Sequence, residues 1–261
     1  MDFCDLDSDK WNQYAESNGF PMNWIYKAES RRLLKFEIDI NRAFDQSIFI
    51  SSKEAALFRD YFSGAKALSI VPNGVDYMFF DPEAITVSEQ FPEPMIAFFG
   101  AMDYYANVEG VIWFVETMWP GIKREIPGIQ FYIVGSNPDK KVKALTADPS
   151  IHVTGFVDDI REYYKAADIC IVPLQIARGV QNKVLEAMAV GKPVVTTSVA
   201  LEGIEIDKDG LVEIANDPDQ FAGKITTLIN DKEKCRQMGQ MARSFIVQHY
   251  DWETNLNLLD V

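Results

Sequence analysis

Basic residues are scarce in this chain. Its 261 residues hold 25 Lys and Arg against 39 Asp and Glu, a formal net charge of −14 and a pI of about 4.6. That balance argues against a nucleic-acid binder, whose affinity comes largely from cations that neutralise phosphates. It also means that positive contacts to any anionic ligand are few and local. Cysteine is equally sparse: Cys4, Cys170 and Cys235 offer neither a disulfide framework nor a metal-ligand spacing, so a reducing cytoplasm is the expected compartment. No apolar run approaches the roughly 20 residues of a membrane span, and no basic-then-apolar leader is present. Insertion into a membrane is therefore not expected, while peripheral attachment at the inner membrane stays open. The two histidines, His152 and His249, fall in no motif and read as structural or exposed. No Gly-x-Gly-x-x-Gly follows any strand, which disfavours a dinucleotide oxidoreductase.

What the chain does have is alternation. Helical and strand patterns succeed one another almost from end to end, the signature of an α/β fold with parallel strands. Residues 1–80 hold a long helix (24–44), a short strand (47–51), a helix (53–61) with Ser52 as its cap, and a second strand (67–71). A turn is expected at Asn73-Gly74. Two strands and a long helix cannot cover both faces of a sheet, so this stretch reads as the end of a larger α/β domain. Pro82, Pro92 and Pro94 mark residues 81–94 as a linker. From 95 to 245 a fuller unit follows, with strands at 95–99, 129–134, 152–154, 169–172, 194–197 and 211–215. Helices are expected at 108–119 (capped by Asn107), 139–147, 159–167, 181–190, 218–230 and 232–249. Residues 246–261 form a tail expected to pack back toward the N-terminal part.

The densest chemical signal is Pro173-Leu-Gln-Ile-Ala-Arg-Gly-Val-Gln-Asn-Lys-Val-Leu-Glu-Ala-Met-Ala189. A buried strand ends, a glycine loop crosses, and a helix starts near Val180 or Gln181. In an open parallel sheet ligands bind beyond the carboxyl ends of the strands, where helix N-termini present free N–H groups. The amides of Gly179, Val180, Gln181 and Asn182 are thus placed for a phosphate. Cations oppose the dipole at a helix start, so Arg178 and Lys183 there need a reason, and a bound diphosphate supplies one. Glu186 shares the helix face of Lys183 and suits the vicinal diol of a ribose. The bland alternative makes Lys183 and Glu186 a surface pair and leaves Arg178 solvated. Asp158-Asp159 read as partners of a helix start, with Asp158 as cap, and not as a metal site.

Together with Gly191-Lys-Pro-Val-Val195, this segment resembles the nucleotide-sugar motif of retaining, family-four (group 1) glycosyltransferases of the glycosyltransferase-B fold. Glu186-Ala-Met-Ala189 matches the second Glu of that motif, the ribose ligand. The first Glu falls on Arg178, a departure. Ala177-Arg-Gly-Val-Gln-Asn-Lys183 and Gly100-Ala-Met-Asp-Tyr-Tyr-Ala-Asn107 resemble more narrowly the sugar transferases of PEP-CTERM/exosortase polysaccharide systems. The resemblance implies a Rossmann-like donor domain preceded by the end of an acceptor-side α/β domain. It also implies a nucleoside-diphosphate sugar as substrate, no metal cofactor, and a polysaccharide or lipid-linked acceptor held by a domain upstream. Gly100 and the backbone near Val157, in Thr154-Gly-Phe-Val-Asp158, would contact the donor, the latter at the nucleobase. Asn73-Gly-Val-Asp76 resembles the segment that joins the two domains. The broader family carries Arg after the loop glycine and Lys further on; here Ala101 follows, and no cation comes before Lys123. Arg178 and Lys183 are expected to take over that charge. No residue is assigned to catalysis, and a donor-binding module without turnover remains the alternative, with a nucleotide-sugar epimerase behind it.

Overall fold

The structure, a computed structural model, describes residues 1–88, 90–177, 179–206 and 209–259. It is an α/β protein with two parallel sheets. The smaller joins β1 (Asp2–Cys4), β2 (Ser47–Phe49) and β3 (Leu68–Ile70) in that order. Helices α1 (Asp7–Ser17) and α2 (Met22–Ala43) cross from β1 to β2, and α3 (Ser52–Tyr61) from β2 to β3. Its core is four buried residues, Leu6, Phe49, Ala55 and Phe58, with Phe3 stacked on Phe49 at 5.3 Å. Buried acids tie the first crossover down: Glu54 accepts from the Leu6 amide at 2.7 Å and Glu37 from the Ser8 amide at 3.1 Å.

Two elements here escape the sequence reading, which has two strands and no helix before residue 24. The three residues of β1 are too few to show a period, and α1 is mostly polar and charged, with a weak apolar stripe. Ser51, not Ser52, caps α3, accepting from the Glu54 amide. The expected turn at Asn73-Gly74 is replaced by an extended segment. Asn73 accepts from Asn255 through its carbonyl, and the Val75 amide donates to Tyr250. A Cβ on Gly74 would come within 2.6 Å of Trp252. Close approach, rather than chain reversal, requires that glycine.

The larger sheet takes β4 (Met95–Phe99), α4 (Tyr105–Thr117), α5 (Trp119–Glu125), β5 (Gln130–Val134), α6 (Lys140–Ala144), β6 (Ile151–Gly155), α7 (Ile160–Ala166), β7 (Ile169–Val172), α8 (Asn182–Ala189), β8 (Val194–Thr196) and β9 (Glu213–Ile214). Helices α9 (Pro218–Asn230), α10 (Lys232–His249) and α11 (Trp252–Leu256) close the chain. All strands are parallel in the order β6-β5-β4-β7-β8-β9. The order reverses between β4 and β7, which makes their carboxyl ends the switch point where such sheets bind ligands. Helix α7 packs on β4, α8 on β7 and β8, and α9 also on β7 and β8. Every residue of β4 and β7 is buried, as strands covered on both faces must be. Phe114 of α4 meets Phe131 at 5.0 Å and Phe221 at 6.1 Å.

The single helix expected at 108–119 is two. Pro120 lacks an N–H and clashes with the preceding turn, so α4 ends at Thr117 and α5 restarts at Trp119. Asn107 is not the cap of α4; it lies in the first turn, and its side chain is used elsewhere. Asp159, not Asp158, caps α7, accepting from the Arg161 amide. Pro82, Ile85 and Ser88 are held against α7: Lys165 donates to the carbonyls of Pro82 and Ile85, and Glu162 accepts from Ser88. Arg243 of α10 ties the end of α8 to this stretch, donating to Ala189 and, at 3.0 Å, to Asp81.

Candidate functional site

At the end of β4 the chain turns at Gly100, and at the end of β5 at Gly135. A Cβ on Gly135 would overlap the carbonyl oxygen of Gly100, so the two loops approach closer than any side chain permits. On Gly100 a Cβ would come within 2.6 Å of Asn107 Nδ2 and 3.2 Å of Lys183 Nζ. These glycines clear the floor of a cleft of about 580 Å³. One wall is the loop after β6, where Phe156, Val157 and Asp158 face the opening; the other is the start of α8 with Gln181, Asn182, Lys183 and Glu186. Phe156 is 78% exposed. Gln181 stands at the N-cap of α8 without a side-chain cap, which leaves first-turn amides to be satisfied from outside the helix.

Lys183 is partly covered as a residue, but its ammonium is enclosed. It donates to Asn107 Oδ1 at 2.5 Å and sits 4.6 Å above the Phe98 ring. Burial pushes it down to about 7, against the pull of the Glu186 carboxylate. Asn107 in turn donates to the Ala101 carbonyl at 2.9 Å, so one amide joins the lysine to the loop after β4. Glu186 accepts from the Tyr164 hydroxyl at 2.7 Å, and Tyr164 stacks on Phe99 at 3.6 Å. Burial raises Glu186, opposed by that hydroxyl and by Lys183. Burial also pushes Tyr164 well above the usual phenol range, so it stays a donor. A cation of lowered basicity beside a helix start is a site that gains when an anion arrives.

Six of the residues singled out from the sequence thus meet in one cleft: Gly100, Val157, Gln181, Asn182, Lys183 and Glu186. Gly179 and Val180 do not line it. Gly179 adopts φ +63°, and a Cβ there would overlap the Asp5 carboxylate, while one on Gly203 would overlap the Gly179 carbonyl. The approach of Gly179 to Asp5, which follows β1, forms a neck between the two sheets. Arg178 lies outside the described residues. Helix α8 begins two residues later than the earliest expectation, at Asn182, with Gln181 still extended at φ −83° and ψ 92°. Lys183 and Glu186 are not each other's hydrogen-bond partners, as the surface-pair alternative requires; each has a buried polar partner instead. Sequence reasoning missed Asn107, Tyr104, Gly135, Phe156 and Tyr164. Tyr104 and Asn107 carried a signal as members of the Gly100 loop motif and Phe156 as part of the Thr154–Asp158 stretch, but none was given a site role; Gly135 and Tyr164 carried none.

His152 pairs with Gln130 at 2.8 Å and stacks on Tyr132, and His249 packs on Phe245, both away from the cleft. Asp159 is engaged by Arg161, which lies 4.0 Å over the Phe79 ring.

The sequence pattern of the family described as "Glycosyl transferases group 1" matches residues 93–231. That is more than half of the chain, and the chain belongs to this family. The GDP-mannose-dependent alpha-(1-6)-phosphatidylinositol monomannoside mannosyltransferase of Mycobacterium tuberculosis is 25% identical over 92% of this chain and 66% of its own length. Among solved structures, Anabaena HepE in complex with UDP and glucose superposes with a TM-score of 0.69 at 18% identity, covering 88% of this chain and 66% of its own. WaaG, a glycosyltransferase involved in lipopolysaccharide biosynthesis, gives 0.71 at 16% over 95% and 71%. These structural likenesses fall on the fold. The present chain spans about two thirds of the mycobacterial relative.

Proposed function

We propose, for a chain of the group 1 glycosyl transferases, that the cleft between the β4 loop and α8 binds a nucleoside-diphosphate sugar. In this reading the chain is the donor-binding half of a bacterial retaining enzyme that extends a cell-envelope or exopolysaccharide precursor. The supporting observation is the convergence of Gly100, the uncapped start of α8, Lys183 and Glu186 on one cleft at the switch point.

Chemically, transfer leaves a nucleoside diphosphate, and negative charge grows on its outer phosphate as the sugar departs. Donors fixed before reaction stabilise that charge at no further cost in reorganisation. The first-turn amides of α8 and Lys183 fill this role, and Arg178 is assigned beside them. Lys183 is primed for it: an arriving diphosphate restores its full charge. Glu186, oriented by Tyr164, receives the ribose hydroxyls, and the backbone at Val157 meets the base. No metal enters this scheme, because the diphosphate charge is met by lysine and amides. The donor domain runs over 95–245, after an acceptor-side remnant (1–80) and a linker (81–94), with the 246–261 tail returning to the remnant. A polysaccharide or lipid-linked acceptor is held by an upstream domain, on the cytoplasmic side of the inner membrane. The specific likeness of residues 177–189 and 100–107 supports a PEP-CTERM/exosortase polysaccharide system.

A second reading, an isolated nucleotide-sugar-binding module without turnover, is supported by the 66% span of the mycobacterial relative. Calorimetric titration with UDP, GDP and ADP, paired with a donor-hydrolysis assay, separates the two. Binding with turnover supports the enzyme, binding alone supports the module, and no nucleotide binding removes both.

A further inference from the structure

At the end of the larger sheet away from the cleft, where β7 and β8 begin, lies a hollow of about 240 Å³. The turn before β8, the end of α9 and the first turns of α10 enclose it. We infer that this hollow is a second anion site, independent of the donor cleft, for a phosphate group: the free ion or the phosphoryl end of a monoester.

Three cations converge there in a chain of net charge −14. Lys192 stands in the turn between α8 and β8, in the Gly191–Val195 stretch, and the donor reading gives it no role. Lys232 and Arg236 lie on consecutive turns of α10 with side chains 85 and 56% exposed, so the rim they form meets solvent. Against them the lining carries one carboxylate, Asp168, whose Oδ2 already accepts from the Met95 amide at 2.8 Å.

Lys192 is the residue that lacks a partner. Burial lowers its basicity, and Asp168 and the Cys170 and Cys235 thiols oppose this only through charge; no described residue hydrogen-bonds its ammonium. Asp168 and Cys235 both line the hollow, which places the ammonium at its wall. An enclosed cation without an acceptor is costly, and an entering anion removes that cost. The neighbours do not supply one. Arg236 is fixed by Glu233 at 2.6 Å and Gln240 at 3.0 Å and adds its charge at the rim. Lys232, loosely paired with Glu93 at 3.8 Å, can turn inward. The Cys235 thiol donates to the Leu228 carbonyl at 3.1 Å, and burial pushes its ionisation up, so it stays neutral.

Size and charge select the class. The hollow is several times the about 30 Å³ that a water molecule takes. It falls below the about 300 Å³ at which clefts for larger ligands begin. A phosphate brings nearly two negative charges and at least three acceptor oxygens, which suits three cations better than a single carboxylate does.

The test uses the whole chain at constant ionic strength, with phosphate replacing chloride so that screening is held fixed. Phosphate can also enter the donor cleft, so Lys183→Met is run beside the parent. Calorimetry and phosphorus NMR should show phosphate binding that survives Lys183→Met, weakens at least tenfold in Lys192→Met and about threefold in Lys232→Ala. Lys192→Arg keeps the charge, should retain most of the binding, and guards against a folding defect in the methionine variant. Affinity for UDP and GDP should stay within about twofold in both Lys192 variants. Glucose 1-phosphate in a parallel arm separates the sources: tighter binding than phosphate supports a monoester, weaker binding the free ion. Phosphate binding lost in Lys183→Met and kept in Lys192→Met overturns the site and assigns the anion to the donor cleft. Absence of phosphate binding, or binding indifferent to Lys192, overturns it too. Failure of UDP and GDP to bind overturns the donor reading and leaves this site standing.

Discussion

The six-stranded sheet and the three-stranded sheet are both parallel, yet they are covered to different degrees. In the larger, β4 and β7 are buried throughout and helices pack along the sheet. In the smaller, each strand has three residues, the core has four, and Phe20, Trp24 and Phe36 stand 82, 76 and 61% exposed. Few buried apolar contacts mean that a region opens more readily than its neighbour. The cleft is therefore built on the sheet whose central strands are covered on both faces. The less constrained part meets the larger unit at, among other contacts, the Asp5–Gly179 approach, the Tyr14–Tyr104 and Ser52–Glu205 hydrogen bonds and the packing of Trp252 on Gly74.

The largest effect is expected from Phe114→Ala, which removes the ring at the centre of the larger core and should lower global stability by about 3–5 kcal/mol in denaturant titrations. Phe58→Ala should abolish amide-exchange protection in β1–β3 while nucleotide affinity survives. Loss of protection everywhere in both variants would show one cooperative unit and erase the contrast. Next is Gly135→Ala, whose Cβ would overlap the Gly100 carbonyl; the loops must part, and nucleotide affinity should fall about 100-fold by calorimetry.

Lys183→Met should cost about ten- to a hundredfold in affinity for a nucleotide sugar. It should also remove a pH dependence whose sign follows from linkage. The empty-site lysine titrates near 7, and a bound diphosphate raises that value. Affinity of the parent chain should then be flat below pH 7 and fall by up to about tenfold per unit above it. Proton uptake on binding, read from calorimetry in buffers of different ionisation enthalpy, checks this. A flat profile above pH 7 would mean that the diphosphate does not reach Lys183. Tyr164→Phe removes the hydroxyl that holds Glu186 down, so affinity should drop about three- to tenfold, more at low pH where Glu186 then protonates. Trp24→Ser, on the exposed side of α2, should leave stability within about 0.5 kcal/mol.

Much of this was legible in the residues. Short apolar runs such as Met95–Phe99 and Ile169–Val172 are visible because both faces of those strands are covered, and their order with intervening helices implies the parallel sheet. Lys183 was legible because a cation opposes the dipole at a helix start, and Glu186 because it shares that helix face and matches the motif's second Glu. Asn107 was read as a cap because an asparagine before an apolar stripe usually is one; Tyr104 took the N-cap position, and the side chain was drawn to Lys183 76 residues away. Tyr164 had no local signal, since its partner Glu186 is 22 residues on. Asp158 and Asp159 were equivalent as letters, and the backbone chose the second.

By itself the sequence determined the α/β class, the strands of the larger sheet and the helix start carrying Lys183 and Glu186, because period and capping are local properties. Only the tertiary structure decided that Gly100 must face Gly135, that Lys183 rests on Asn107 above Phe98 with lowered basicity, and that Gly179 is a neck instead of a wall. Those outcomes depend on burial and on contacts between loops far apart in the chain, and no local pattern records either.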